Sequence, residues 1–598
     1  MRSLRLPRGR RLLALVAIFA VAILFVIRLA DVQLVSAAAL NADARDKRAV
    51  PVTIPSVRGD ILDRNDSVLA STDELYDVQL SPKNTRINGG KFYRQEVDGG
   101  IGTVEVTNAE AYAEIGEITG QSADEIAKIV DDALENDPES DFAYVTRSVD
   151  LTQLNRLKEL MIPWLTFESH HERSFPNGAV AGNLIGFSGY GEEPQSGVEL
   201  SQDACLTGKD GKEEYERSED GVPLPGSVVV TEQAEDGGDV TLSIDRDLNW
   251  QAQQIINEQV EEVSAEWGYL VIMDVRTGEL VAVAEDGSVD PNDVSASDPA
   301  KRESRSFVSP YEPGSTFKAV TAAALIDQGL ADPSTQQLTP GQWEPEPGVR
   351  FGDATAHGEE RWTLNGIMVN SSNVGISMLG DRLDSATLYD YITKFGVGES
   401  THAGMPLEDS GMLFPVDQWD RQTSYNIRFG QGVSTTIVQT AGMYQAIANG
   451  GERIPPTLVK SCTKPDGSVT KPDHGDPVQA ISGETAGTMM HVLESVANES
   501  WVKDYVSIPG YRIAGKTGTA EQSDGQGGYR SDYVSSFAGI FPADDPQYVA
   551  VASVAFPANP ENGGLAATAA FRQAAEATIR TFHIPPSSGK YDPLPVNY

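Results

Sequence analysis

From Leu12 to Ile27 the chain is unbroken apolar sequence, closed by Arg28. As a helix this run spans about 24 Å, short of a hydrocarbon core of about 30 Å. Extension through Leu29, with Arg28 snorkelling to the far interface, closes the gap. Arg2, Arg5, Arg8, Arg10 and Arg11 precede the run with no acidic residue among them. That asymmetry predicts a cytoplasmic tail over residues 1–11, a membrane anchor over 12–30 and an extracytoplasmic remainder. A cleaved signal peptide is the competing reading. Ser36-Ala37-Ala38 is small enough for cleavage, but it lies about ten residues beyond the apolar run.

Beyond the anchor the pattern to about residue 240 is mixed α/β with loop-rich stretches. Ser122-Ala123-Asp124-Glu125 forms a capping box, and Ile126, Ile129, Val130 and Leu134 follow at helical spacing. Asp150 heads a second amphipathic helix through Leu151, Leu154 and Leu157. Residues 209–238 are rich in Gly, Pro, Asp and Glu with little apolar periodicity, which predicts a linker or exposed loop and a domain boundary near 240. Asp245 to Val263 then reads as a helix, Gly268 to Met273 as a strand, and Glu279 to Ala284 as its hairpin partner across Val275–Gly278. The stretch to about 585 alternates Ala-rich helices with apolar strands. The end of the chain, carrying Pro585, Pro586, Pro593 and Pro595, reads as a tail.

Length and charge narrow the classes. A chain of 598 residues exceeds one ordinary core. Asp+Glu 87 against Lys+Arg 46 gives a formal net charge of -41, which disfavours nucleic acid in the absence of a basic stripe. The N-terminal arginines are the exception, so the remainder is more acidic still. Two cysteines exclude a disulfide scaffold, and seven histidines without a Cys/His cluster argue against a structural zinc site. Cys205 and Cys462 are far apart, and two independent thiols are the preferred reading.

Candidate chemistry starts at Ser315-Thr316-Phe317-Lys318. Positions i and i+3 share a helix face, so the Lys318 amine can sit beside the Ser315 hydroxyl as its base. Glu312-Pro313-Gly314 breaks the chain just before, which places Ser315 at the start of an Ala-rich helix, where free backbone donors favour an oxyanion. Alone the spacing is unspecific. It recurs at Ser461/Lys464, Ser468/Lys471, Ser500/Lys503 and Ser587/Lys590, without the Pro-Gly or the apolar helix. Ser371-Ser372-Asn373 suits a turn between helices that aims a hydroxyl and a carboxamide into a cleft. The same letters at Ser424-Tyr425-Asn426 show that a helix cap is the bland alternative. Lys516-Thr517-Gly518-Thr519 reads as a strand whose glycine marks a close approach, with a lysine and two hydroxyls able to bind a carboxylate. Its alternative is a solvated edge strand.

The order of these three elements resembles that of the penicillin-recognising serine transferases. Tyr311-Glu312-Pro313-Gly314-Ser315, Gly430-Gln431-Gly432-Val433, Ala448-Asn449-Gly450-Gly451 and Ser536-Phe537-Ala538-Gly539 look like further blocks of that superfamily in its order. Arg58-Gly59-Asp60-Ile61-Leu62-Asp63-Arg64-Asn65, Gly182 to Gly189, Gly197-Val198-Glu199 and Gly238 to Asp245 resemble the pedestal blocks of class B penicillin-binding proteins. Gly563-Gly564, Ala566-Ala567, Phe571 and His583-Ile584-Pro585-Pro586 resemble the end of the septal, FtsI-type, actinobacterial members. Thr568 stands where a proline is common there, and Val283 where relatives often read Met, so elongation-type synthases remain the alternative.

The resemblance implies a mixed α/β multi-domain protein. It would have a transmembrane helix, an elongated α+β pedestal over 31–240, a transpeptidase domain over 241–585 with a central antiparallel sheet flanked by helices, and a tail over 586–598. It implies serine D,D-transpeptidation of D-alanyl-D-alanine stem peptides, with no metal or cofactor. In that scheme Ser315 is the nucleophile, Lys318 its base, Ser371 the proton relay and Asn373 the holder of the substrate amide. Lys516, Thr517, Gly518 and Thr519 bind the terminal carboxylate, and the backbone N–H groups of Ser315 and Thr519 form the oxyanion hole. β-Lactams would acylate Ser315, and a membrane-embedded glycan polymerase and divisome proteins would be partners. A β-lactamase or carboxypeptidase would need a deacylating Glu after Asn373, where only Glu408 stands and lacks the flanking pattern. A catalytically silent scaffold is opposed by three intact motifs.

Overall fold

The computed structural model describes residues 8–36, 49–95, 102–189, 193–216, 226–523, 528–558 and 560–598. The chain divides into two units. The first joins Met1–Val57 to Thr207–Gly237. Its helix Arg8–Ala30 runs on as a wider-wound segment, Asp31–Val35. The apolar stretch Leu12–Val35 is thus longer than the one read from the sequence, and long enough to cross a membrane. Arg28 pairs with Asp31 one turn on.

The rest of this unit is an antiparallel sheet, Ala49–Ile54, Gly211–Glu216 and Val229–Glu232. It corrects the reading of 209–238 as a linker. The strand Gly-Lys-Glu-Glu-Tyr-Glu is mostly exposed or half-buried, so it carries no apolar alternation to betray it. The Asp210 carboxylate accepts from both the backbone N–H and the hydroxyl of Ser56, tying its start to the first strand.

The second unit joins Arg58–Leu206 to Gly238–Tyr598. A seven-stranded sheet runs through its N-terminal part in the order Val469–Thr470, Val459–Thr463, Asp239–Leu242, Ile61–Leu62, Val68–Leu80, Ala143–Val149, with Leu165–Ser174 also paired to Val68–Leu80. The helices Asn108–Thr119, Ala123–Asn136 and Leu151–Glu159 each begin with a reciprocal capping box, headed by Thr107, Ser122 and Asp150. Their apolar faces close over Val78, Phe92, Tyr112, Ile115 and Trp164. Glu199, fully buried, receives Arg58 and Arg173 at 2.8 and 2.7 Å, so the charged letters of two family-like blocks meet in one ion cluster.

Cys205 and Cys462 are joined in a disulfide, which corrects the reading of two independent thiols. Their separation of 257 residues hides the pairing. What brings them together is the antiparallel register of Asp239–Leu242 with Val459–Thr463, and the Gly238 N–H donating to the Cys205 carbonyl.

Five strands form the sheet that carries the site: β1 Trp267–Asp274, β2 Leu280–Glu285, β3 Ala514–Ser523, β4 Tyr529–Phe541 and β5 Tyr548–Ala555. Their spatial order is β2-β1-β5-β4-β3, all antiparallel. β5 lies in the middle and is buried along its whole length, which explains its continuous run of small apolar residues. The helices Arg246–Val263 and Pro560–Thr581 cover one face through Leu248, Ile256, Ala567, Ala570 and Phe571. Helices Lys318–Asp327, Ile437–Ala448 and Gly483–Glu499 contribute to the core on the other. The residues read as a tail fold back: Thr363 donates from its hydroxyl to the Pro595 carbonyl at 2.6 Å and from its N–H to Val596.

Candidate active site

Ser315 lies in a tight turn, Gly314–Phe317, that leads directly into the helix Lys318–Asp327. The turn is possible because Gly314 adopts φ +55°, and a Cβ there would stand 2.6 Å from the Cβ of Ala520 on β3. Glycine therefore both permits the backbone and lets helix and strand close up. Gly518 allows the close approach from the strand side, with Pro313 O and Thr316 Cγ2 each 3.0 Å from where its Cβ would be.

β3 is an edge strand, as the bland reading of Lys-Thr-Gly held, yet Lys516 on it is fully buried. The Lys318 Nζ lies 2.9 Å from Ser315 Oγ, 2.5 Å from the Ser371 carbonyl and 3.3 Å from Ser371 Oγ. Lys516 Nζ lies 2.8 Å from the same Ser371 Oγ and 3.2 Å from Thr517 Oγ1. Ser315, Lys318, Ser371, Lys516 and Thr517 thus form one chain of polar contacts. Ser315 is half-buried and so reachable from outside, whereas both lysines are shut off from water.

Ser371 sits between the helices Leu364–Val369 and Asn373–Gly380 with φ 58°, an unusual conformation for a serine and one that clusters at functional sites. Ser372 is the cap of the second helix, accepting from the Gly375 N–H at 2.8 Å. The helix-cap reading of the triplet thus falls on Ser372, while Ser371 beside it meets the two lysines. Asn373 donates to the Gly352 carbonyl at 3.3 Å and does not join the Ser315 chain. Thr519, exposed, makes no side-chain hydrogen bond among the described residues.

Burial pushes the Lys318 pKa down to about 7, opposed by the Asp353 carboxylate, and pushes Lys516 well below its ordinary range, helped by the neighbouring Lys318 charge. Two ammonium groups bridged by one hydroxyl in a dry site cannot both stay charged, so the pair titrates as a unit. A neutral Lys318 can keep its bond to the Ser371 carbonyl and still offer its lone pair to the Ser315 hydroxyl.

Asp353 was not signalled by any motif. Its Oδ2 accepts from the Ser372 hydroxyl at 2.5 Å and its Oδ1 from the Val374 N–H at 2.9 Å. Glu312, three residues before Ser315, is pushed up to about 7 by burial. Glu408 is committed elsewhere: its carboxylate accepts from the Thr401 hydroxyl and the N–H groups of Gly404 and Met405.

A serine hydroxyl held by a buried lysine at a helix start, beside an open sheet edge, defines a serine acyl-transfer enzyme. Residues 268–576 match the penicillin binding protein transpeptidase domain and 53–242 the penicillin-binding protein dimerisation domain. Penicillin-binding protein PbpB of Mycolicibacterium smegmatis is 34% identical over 97% of this chain and 91% of its own length. The peptidoglycan D,D-transpeptidase FtsI of Escherichia coli is 30% identical over 75% of this chain and 74% of its own. The crystal structure of penicillin binding protein 3 from Mycobacterium tuberculosis complexed with aztreonam superposes with a TM-score of 0.69 at 29% identity, covering 92% of this chain and 100% of that one. The chain belongs to the class B penicillin-binding proteins.

Proposed function

We propose that this protein is a membrane-anchored serine D,D-transpeptidase that cross-links peptidoglycan stem peptides in septal wall synthesis. The observation that carries the reaction is the contact chain Ser315–Lys318–Ser371–Lys516. Lys318, neutral near pH 7, takes the Ser315 proton as the hydroxyl attacks the penultimate carbonyl of a D-alanyl-D-alanine end. Ser371, fed by Lys516, hands a proton to the departing D-alanine amine. The acyl group then passes to an amine of a neighbouring stem.

Asn373 holds the substrate's peptide amide, and Lys516, Thr517 and Thr519 bind the terminal carboxylate, with Gly518 allowing the approach. The backbone N–H groups of Ser315 and Thr519 form the oxyanion hole, where one donor is worth roughly 10²–10³ in rate. The substrate peptide adds along the edge of β3, where no further strand pairs among the described residues. β-Lactams acylate Ser315 by the same route.

We divide the chain into a cytoplasmic tail over 1–11, an anchor over 12–30, a pedestal over 31–240, a transpeptidase domain over 241–585 and a C-terminal segment over 586–598. The N-terminus is cytoplasmic and the catalytic domain outside. The arginine cluster supports that orientation, as does a disulfide, which persists in an oxidising compartment. A membrane-embedded glycan polymerase and divisome proteins are the partners that a septal role requires.

Fluorescent penicillin should label the wild-type protein and not Ser315→Ala. Failure of the wild type to label where a control does would refute the enzyme. A label lost within minutes would indicate a β-lactamase. Depletion in the host should give filaments without septa; rounding or loss of polar growth would assign the elongation role instead.

A further inference from the structure

Residues 353–359 link the strand Val349–Gly352 to the strand Glu360–Thr363, and two of their side chains converge behind the Ser371 turn. Ser372 Oγ already accepts from the Gly375 N–H, so its single proton goes to Asp353 Oδ2. With the Val374 N–H on Oδ1, Asp353 accepts on both oxygens. The same Oδ2 lies 2.8 Å from His357 Nε2. On the other side of the ring, His357 Nδ1 lies 2.8 Å from the Gly358 carbonyl. A neutral imidazole carries one N–H and one lone pair, so in this setting one ring nitrogen would oppose an acceptor with a lone pair. An imidazolium beside the Asp353 carboxylate gives both oxygens a donor.

The ring is held in place. It packs on Trp362 with centroids 4.8 Å apart, its side chain is 14% exposed, and Asp353 beside it is 7% exposed. Gly341 packs against the His357 backbone and brings no side chain. The charged group facing the ring is Asp353. Beyond that carboxylate stands Lys318, whose protonated form it favours, and Glu359 and Glu360 follow His357 in the chain.

We propose that His357 is a positioning residue of the acyl-transfer site. As an imidazolium it pins Asp353, through which it holds the Ser371–Asn373 turn, and it offsets the carboxylate charge that Lys318 would otherwise feel. This rests on the reading of Ser315 as the nucleophile and Lys318 as its base.

The test is the pH profile of acylation by a fluorescent penicillin in the full-length, detergent-solubilised protein, for wild type, Ser315→Ala, His357→Gln and Asp353→Asn. His357→Gln is expected to acylate roughly ten- to a hundredfold more slowly, because the turn is misaimed. Its acidic limb should also move up by as much as about one pH unit, because an uncompensated Asp353 favours protonated Lys318. Asp353→Asn should move that limb down. A His357→Gln profile that superimposes on wild type, or that is lowered equally at every pH, overturns the inference. If His357→Gln does not fold, His357→Asn takes its place with the same criteria: a slower rate with an upward-shifted limb supports the inference, and an unmoved limb overturns it. Wild type that fails to label at all overturns the acyl-transfer reading, and this inference falls with it.

Discussion

Lys516 Nζ lies 2.8 Å from Ser371 Oγ, although 145 residues separate the two in the chain. The hydroxyl is thereby suspended between two buried lysines, since Lys318 reaches it from the other side at 3.3 Å. Ser371→Ala would leave both lysines in place and remove only the bridge. Acylation by penicillin should fall by roughly 10²–10³ with little change in thermal stability. A rate within threefold of wild type would remove Ser371 from the proton path. The measurement is the time course of fluorescent labelling.

The protonation state of Lys318 sets a second expectation. Its pKa is depressed to about 7 by burial, so below that pH the amine is charged and cannot accept the Ser315 proton. The acylation rate should therefore rise with pH through about 7 and then level, until other groups titrate. A rate flat from pH 5.5 to 8.5 would mean that a different base takes the proton. The direction is fixed by the sign of the shift: a lysine at its ordinary value near 10.4 would keep the rate climbing well above pH 9.

Gly314 concerns architecture rather than proton transfer. At φ +55°, with Ala520 Cβ 2.6 Å from the position of an added Cβ, Gly314→Ala meets both backbone strain and a steric clash. The strain alone costs about 1–3 kcal/mol, and relief of the clash pushes β3 away from Ser315. The melting temperature should drop and penicillin labelling should fall more than tenfold. Wild-type labelling in this variant would show that the strand and helix can part without harm to the site.

How far the sequence announced all this varies from element to element. The β1–β2 hairpin, the capping box at Ser122, the helix headed by Asp150 and the helix Arg246–Val263 were legible, because caps, turns and apolar alternation are local signals. The contact of Ser315 with Lys318 is also local, being three residues apart, but that spacing recurs elsewhere and only motif order singled it out. The meeting of Ser371 with Lys516 was readable only through motif order, since no spacing rule brings such distant positions together. Nothing pointed to Asp353, a lone carboxylate in a loop. The glutamate-rich strand Gly211–Glu216 went unseen because its burial does not alternate with hydrophobicity. The insertion of Val459–Thr463 into the sheet of the N-terminal part was likewise invisible, and the pairing of Cys205 with Cys462 went with it.

That disulfide closes a loop with a sequence separation of 257 residues, so its removal releases a large amount of unfolded-chain entropy. Cys205→Ser, Cys462→Ser and the double variant should each lose about 3–5 kcal/mol, and the two single variants should not add in the double. Dithiothreitol should lower the wild-type melting temperature toward that of the variants and leave theirs unmoved. Equal melting with and without reductant would mean that the thiols are not paired in solution.

Glu199 is a buried carboxylate held by two arginines. It is fully buried, and Arg58 and Arg173, themselves nearly inaccessible, point at its two oxygens. The value of such a cluster lies less in net attraction than in the cost of breaking it, because Arg173 is left without a carboxylate in a dry interior while Arg58 keeps Asp203. Glu199→Gln keeps the size and one acceptor but removes the charge that two arginines share. The protein should lose about 3–5 kcal/mol of stability, read by thermal or denaturant unfolding. Ser315 acylation at a permissive temperature should stay near wild type, since none of the three side chains contacts the Ser315–Lys516 chain. A variant that keeps wild-type stability would show that the Arg58–Glu199–Arg173 cluster is not a structural tie. A stable variant that loses acylation would instead connect this cluster to the active site.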